Sequence, residues 1–561
     1  MRDRDRLQEG RALRLLTPPL AAAEWKGEPP GVDVTVFPTW FICERVETPT
    51  IGGQPRRGRR LVRWGELEAV GGRRRFLHDD GKKLEVSPLR FVGVCEKGHL
   101  QDVDWRRLVH AGEPCHEPMW LMEEGTSASL GDLEIMCSCG RSLSLRDATK
   151  PGRLGKCDGR QPWLSADARE PCSENLRLLT RSATNAYFPQ VVNVISLPVE
   201  EDALIVIIKR HLADLSSAES SDDIRAARRF NSALRMDLDG YSDQEVYERL
   251  QRVKEQVGQD ASTNPRVLEF DVLASGRRQI GLNEAGARLY AETRPREEWA
   301  EDVGRDLGVI RGVVAVHRLR EVMCLYGFTR LEPAPTTADA DLEDIQLAVS
   351  GAPIAQHADW LPAIEQFGEG IFVHFDPVRI ENWISRPGVD QRVDVLHRGL
   401  MAHKKKYPAS AEQRFPGGPY VLLHSLAHAL MTEIALDCGY PASSLKERIY
   451  AFPSSDTAAA RYGLLIYTAS TGSQGTLGGL VAGAKRFSRI LDAALERLEI
   501  CSNDPVCADH DPGSAVENRH LLGAACHGCL LIAETSCERR NQFLDRSLLV
   551  RTMADTGSNL F

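Results

Sequence analysis

Apolar periodicities of both the helical and the strand type, and fourteen cysteines gathered mostly into two turn-rich clusters, predict a multidomain fold of the α+β, mixed α/β class with small zinc-stabilised modules. The length of 561 residues suits about three or four domains. Apolar residues make up 42% and charged residues 27% of the chain, which is enough to bury several cores and excludes a chain disordered throughout. The runs at 203–208 and 463–467, read as the longest apolar ones, are far shorter than the roughly 20 residues of a bilayer-crossing helix, so no membrane span is expected. The N-terminus, MRDRDRLQEG, alternates charges and lacks an apolar secretory core, which predicts a cytoplasmic location. In a reducing compartment close-spaced cysteines are zinc ligands more often than disulfides.

Four segments follow in order. Residues 1–90, rich in Pro, Gly and Arg, read as an extended N-terminal segment with short strands at 34–37 and 61–64. Residues 91–200 place six cysteines among turn formers and read as a zinc module. Residues 201–350 form a helical and mixed α/β middle region, with helices over 222–235 and 243–257 and strands over 267–273 and 312–317. Residues 351–561 form a C-terminal α/β domain. Strand 370–375 is followed by a buried helix over 421–436 with Pro419 in its first turn and Gly439 at its stop. Then come strand 463–468, a Gly-rich turn, helix 480–498, a cysteine cluster and a last amphipathic helix through Leu544 and Leu548. No internal repeat is visible.

Tetrahedral zinc needs four soft or borderline ligands, commonly supplied as close pairs at tight turns. In the N-terminal cluster, Cys137, Cys139, Cys157 and Cys172 fill one such set, with CSCG as the knuckle. Cys95, His99 and Cys115 begin a second, for which His110 and His116 both qualify as the fourth ligand. In the C-terminal cluster the CHGC pair Cys526 and Cys529 combines with Cys537 and either Cys507, which is preferred, or Cys501. Cys43, Cys324 and Cys438 stand apart and read as packing residues, since a free thiol behaves as a small hydrophobe.

Three basic runs interrupt an otherwise acidic chain of net charge −9: Arg56, Arg57, Arg59 and Arg60; Arg73, Arg74 and Arg75; and Lys404, Lys405 and Lys406. Such runs contact phosphates without reading bases, and Trp64, Phe76 and Tyr407 stand near enough to stack on bases; solvated loops or an acidic partner are the other reading. His424 and His428 lie four apart on the buried helix and so share a face. A metalloprotease would need Glu where Ser425 stands, which leaves either hydrogen-bonded core histidines or an open metal site of a hydrolase or nuclease. Gly472, Gly475, Gly478 and Gly479, with Ser470, Ser473 and Thr476, form a turn that either holds an anion or serves close packing. No GxxxxGK[ST] motif occurs, so the chain is not read as an ATP-driven motor. The HxK fragment of His403 and Lys405 lacks the acid and the second copy that a phospholipase-like nuclease needs.

The run CHGCLLIAETSCERRNQFLDR, preceded by a strand, TASTGSQGTLGGL and a helix, resembles the zinc-binding domain appended to MrfA-type repair helicases. FVGVCEKGHLQDVDW, CSCG, ATNAYFPQVV, LREVMCLYGFTRL, WLPAIEQFGEGIF, HSLAHALMTEIALDCGY and YTASTGSQGTLGGLV, spread over residues 91–550, together resemble the DrmB family of DISARM anti-phage systems. That resemblance implies Zn2+ as cofactor and a non-catalytic subunit. Its implied partners are a separate DrmA-like DNA helicase, which supplies the ATP turnover, and DNA.

Overall fold

The computed structural model describes residues 14–16, 34–123, 130–198, 203–216, 218, 220–259, 264–284, 286–331, 352–354, 360–407, 413–456, 458–469, 478–514 and 519–561. The chain divides into two compact units: residues 1–192 with 324–334 and 348–363, and residues 193–323 with 335–347 and 364–561. The fold is mixed, with helices, antiparallel sheets and several cysteine clusters.

The first unit is built on a six-stranded sheet in the order Ser142–Ser144, Leu133–Cys137, Met119–Glu123, Gly58–Arg63, Trp40–Glu47 and Val86–Pro88. Every neighbouring pair is antiparallel. Trp40, Leu61, Trp105, Met119, Leu121 and Ile135 are buried together in its main core. A smaller sheet joins Leu100–Gln101, Phe91–Val94 and Arg177–Thr180. The expected boundary at residue 90 is therefore corrected: strands from both sides of it share one sheet, because the apolar residues of 40–63 find their partners at 119–137. Residues 34–37 carry no strand, and the one expected over 61–64 is Gly58–Arg63.

The second unit holds most of a larger sheet in the order Gln279–Gly281, Leu289–Arg294, Ile310–Thr329, Trp360–Phe375, Arg461–Thr468 and Leu445–Phe452. This sheet begins before residue 350 and ends beyond it, so the expected boundary there is also corrected. Five helices from Ala203–Arg210 to Asp243–Gln259 enclose their own core of Leu204, Ile208, Ile224, Leu234, Val246 and Leu250. The segment expected as a strand over 267–273 is the helix Pro265–Leu273: the Asn264 side chain accepts from the Arg266 N–H and Pro265 sits in the first turn, so the cap decides a short apolar run that periodicity leaves open. The last helix is corrected too. Leu544 and Leu548 are fully buried, but only the 3-10 turn Arg546–Leu548 is helical, started by Asp545 accepting from the Ser547 N–H.

Helix Gly418–Cys438 organises this unit. Pro419 occupies its first turn, and Gly439, at φ +71°, ends it in a left-handed conformation that favours glycine. The helix packs on Phe487–Glu499 and on strands Leu445–Phe452 and Arg461–Thr468. Its mean hydropathy reaches 1.3 over 18 residues, so by length and composition alone it could cross a membrane, which corrects the expectation that every apolar run is too short. Here it is a core helix, with Tyr420 to Met431 buried without interruption.

Candidate metal centres

Two ligand clusters form in the first unit, with a partition different from the expected one. Cys95, His99, Cys157 and Cys172 converge in one; His110, Cys115, Cys137 and Cys139 converge in the other. Cys95 and His99 flank a turn in which Gly98, at φ +81°, donates its N–H to the Cys95 carbonyl. Cys157 and Cys172 stand on either side of a long loop tied back by the Cys157 N–H to Glu174 and Glu170 N–H to Gly159 bonds. The CSCG knuckle lies instead beside helix Trp105–Val109, whose C-terminal His110 faces Cys139. The expected set of Cys137, Cys139, Cys157 and Cys172 is thus split, and Cys115 moves to the CSCG cluster. His110, not His116, is the fourth member there. Linear spacing could not foresee this, since β pairing of Met119–Glu123 with Leu133–Cys137 decides which thiols meet.

The separations suit tetrahedral zinc. Bonds of about 2.3 Å to sulfur and about 2.0 Å to nitrogen place neighbouring ligand atoms roughly 3.3–3.8 Å apart. Cys95 Sγ lies 3.3 Å from His99 Nδ1 and 4.0 Å from Cys172 Sγ. Cys115 Sγ lies 3.7 Å from Cys137 Sγ, and His110 Nε2 lies 3.3 Å from Cys139 Sγ. Each histidine has an outer partner for its other nitrogen: His99 Nε2 meets Glu170 Oε1 at 2.8 Å, and His110 Nδ1 meets the Arg106 carbonyl at 2.7 Å. Such partners hold the ring and fix which nitrogen faces the metal.

The third cluster lies in the second unit and consists of Cys501, Cys507, Cys526 and Cys529. Cys501 Sγ to Cys526 Sγ is 3.4 Å; Cys507 Sγ to Cys529 Sγ and Cys526 Sγ to Cys529 Sγ are both 3.8 Å. The N–H groups of Asn503 and Gly528 donate to Cys501 and Cys526. At Gly528 a Cβ would lie 2.7 Å from Ser502 Oγ, so glycine lets the knuckle close. Both Cys501 and Cys507 belong, and Cys537 does not: its thiol lies 3.1 Å from His424 Nε2, in a separate fully enclosed group with His428 and Glu447. Glu447 is the member that sequence reasoning missed; as a buried acid on a strand it carries no spacing signal.

Without a cation these thiols do not ionise together. Hydrogen bonding from Cys529 draws Cys507 down to about 6, while the same contact and burial push Cys529 far up. Burial likewise pushes Cys137 up to about 12. Against desolvation, the Arg141 N–H and His110 bring Cys139 to about 7. A divalent metal is what converts every ligand to the binding form.

The basic runs sit differently from a phosphate clamp. Arg56, Arg59, Arg60 and Arg75 pair with Glu134, Glu123, Asp79 and Glu85. Arg74 donates to the Leu67 carbonyl and lies over the Trp64 ring. Arg57 and Arg73 are exposed. Phe76 is buried under Arg60, which corrects its reading as a base-stacking residue. Lys404, Lys405 and Lys406 close helix Pro387–Lys406, where cations complement the negative helix end, and Lys406 and His403 flank the Tyr407 ring. Residues 470–477 of the Gly-rich turn, with Gly472, Gly475, Ser470, Ser473 and Thr476, lie outside the described residues. Cys43 and Cys324 are buried and Cys438 is half-buried; burial pushes the Cys43 thiol up to about 12.

The geometry defines a zinc-binding protein with more than one cysteine-rich centre. The MrfA Zn-binding domain model matches residues 426–530, which contain all four cysteines of the third cluster, and zinc is accordingly the cofactor. A domain of unknown function, DUF8724, matches residues 2–188. The DISARM protein DrmB of Bacillus paralicheniformis is 30% identical over 498 residues, covering 84% of this chain and 82% of that protein. The chain belongs to the DrmB family of DISARM proteins. A crystal structure of the DUF1998 helicase MrfA bound to DNA is 11% identical and covers 41% of this chain and 24% of its own, with a TM-score of 0.19, too slight to define a shared fold.

Proposed function

We propose that this chain is a non-catalytic, zinc-stabilised cytoplasmic subunit that partners a DrmA-like DNA helicase and helps hold DNA by its backbone in anti-phage defence. The observation that carries the reading is the closed character of the three cysteine-rich clusters on a DrmB-family chain. Each set supplies four protein ligands, the arrangement of structural zinc, whereas a catalytic zinc keeps one position open. The missing phosphate-binding lysine motif supports placing ATP turnover in the partner. The exposed Arg57 and Arg73 and the lysines at 404–406 are the phosphate-contact candidates.

The test is DNA-stimulated ATP hydrolysis by the helicase subunit of the same system, purified with and without this chain. A changed rate or DNA affinity supports the reading. Failure of the two proteins to associate or to affect each other overturns it.

A further inference from the structure

We propose that His424, His428, Glu447 and Cys537 form a fourth metal centre, a closed zinc site inside the hydrophobic core, distinct from the four-cysteine cluster nearby in sequence. Three separate parts of the chain meet there. His424 and His428 project from one face of helix Gly418–Cys438, with ring centroids 4.6 Å apart. Glu447 comes from strand Leu445–Phe452 and Cys537 from the loop after the CHGC knuckle. His424 Nε2 lies 3.1 Å from Cys537 Sγ and 3.0 Å from Glu447 Oε1; His428 Nε2 lies 3.3 Å from the same oxygen. These separations lie at or slightly inside the edges of a tetrahedron around a zinc-sized ion, so a small outward shift of the ligand atoms lets them hold one.

The surroundings favour a cation over a self-contained hydrogen-bond network. His424 Nδ1 faces the Phe543 carbonyl at 3.1 Å and His428 Nδ1 the Leu530 carbonyl at 2.7 Å, so each ring donates outward and turns a bare Nε2 lone pair inward. The Cys537 thiol can give its one proton to His424 Nε2, which leaves the His428 Nε2 lone pair facing the Glu447 carboxylate with no proton between them. The Arg539 and Asn541 N–H groups donate to Cys537 Sγ at 3.3 and 3.1 Å, and the Glu538 N–H to Glu447 Oε1 at 3.1 Å, support suited to a thiolate and a carboxylate. Glu447 Oε2 is fully buried with no hydrogen-bond partner among the described residues. Among the described ion pairs Glu447 meets only the two imidazoles. With both rings neutral and Cys537 bound as a thiolate, the set carries charge −2, which one divalent ion balances.

All four residues are at most 7% exposed, and together they fill four positions. The site is therefore structural, and the reading of His424 and His428 as an open hydrolase centre gives way to a staple joining helix, strand and loop. His424 and Cys537 lie outside the residues 426–530 matched by the zinc-binding domain model.

The measurement is the metal content of the full-length protein by mass spectrometry, with cobalt reconstitution as a second readout. Four equivalents per chain are expected from the four clusters. Glu447→Gln and Cys537→Ser are each expected to lose one equivalent and to leave the cobalt–thiolate absorption of the cysteine-rich centres in place. In the unmutated protein the fourth cobalt equivalent should add a tetrahedral d–d spectrum with weak thiolate charge transfer, as one sulfur ligand requires. A wild-type content of three overturns the proposal, as does an unchanged content of four in either folded variant. Should the variants fail to fold, the wild-type count and the fourth cobalt spectrum decide alone.

Discussion

Cys537 lies eight residues beyond Cys529, yet its thiol faces His424 Nε2 at 3.1 Å from across the core, while Cys529 closes on Cys507 at 3.8 Å. Two neighbours in sequence thus serve different centres, with Leu530 between them buried in the main core. Cysteine spacing identifies which residues are ligands better than it identifies which ligands share an ion.

The outer contact between His99 and Glu170 gives the first prediction. A carboxylate behind a metal-bound imidazole raises its basicity and fixes its orientation. Glu170→Gln is expected to weaken zinc retention at the Cys95, His99, Cys157 and Cys172 centre by roughly 10- to 100-fold with little change in folding. Zinc transfer to a colorimetric chelator checks it; an unaltered release profile would show that this contact does not tune the site.

The elements legible in sequence are those whose signals are local. The helix stopped by Gly439, the strand 463–468 and the CSCG and CHGC knuckles depend on caps, period or spacing within a few residues. The main misreadings concern partners distant in sequence. Strand Gly58–Arg63 pairs with Met119–Glu123, drawing the N-terminal stretch into a sheet with the zinc module. His110 joins Cys139 only because helix Trp105–Val109 packs on strand Leu133–Cys137. The arginine runs look like a phosphate surface in sequence because their acids, Glu123 and Glu134 among them, lie 64 and 78 residues away.

Removing a cluster cysteine should cost more than removing a packing cysteine. Cys501→Ser is expected to release one zinc and to destabilise the C-terminal unit by about 4 kcal/mol or more, lowering its melting transition by roughly 10 °C. Cys324→Ser, at a buried site outside every cluster, should keep the full metal content. Calorimetry with parallel metal analysis compares them; equal metal loss in both variants would contradict the assignment of Cys501.

Asp545 provides a pH prediction. It is fully buried, and although burial opposes ionisation, Arg392 at 2.6 Å and the Ser547 N–H and hydroxyl hold its carboxyl below the ordinary carboxylate range. A carboxyl whose folded pKa is depressed contributes stability that is present above its unfolded pKa of about 3.9 and is lost as pH falls through the folded value. Denaturant midpoints of the wild type should therefore decline on acidification below about pH 4, with a smaller Asp545-specific component in Asp545→Asn. Parallel acid limbs for the two proteins would remove Asp545 from that role.

The lysines at 404–406 separate the proposed DNA contact from structural charge. Arg56, Arg59 and Arg60 are held by Glu134, Glu123 and Asp79, so reversing them should act chiefly through the first unit's surface ion pairs, each worth about 1 kcal/mol or less. Lys404, Lys405 and Lys406 occupy the last turn of helix Pro387–Lys406, where three cations stand together at the negative end of its dipole. If they meet phosphates, changing all three to Gln lowers the salt dependence of DNA binding by the assembled complex by about 0.9 in log–log slope per lost contact. Affinity should then fall to a similar degree on unrelated sequences, since backbone contacts carry no base information. Titrations at several salt concentrations read both quantities at once. An unchanged slope, with the complex intact, would assign these lysines to the helix dipole alone and move the DNA contact to Arg57 and Arg73 or to the helicase.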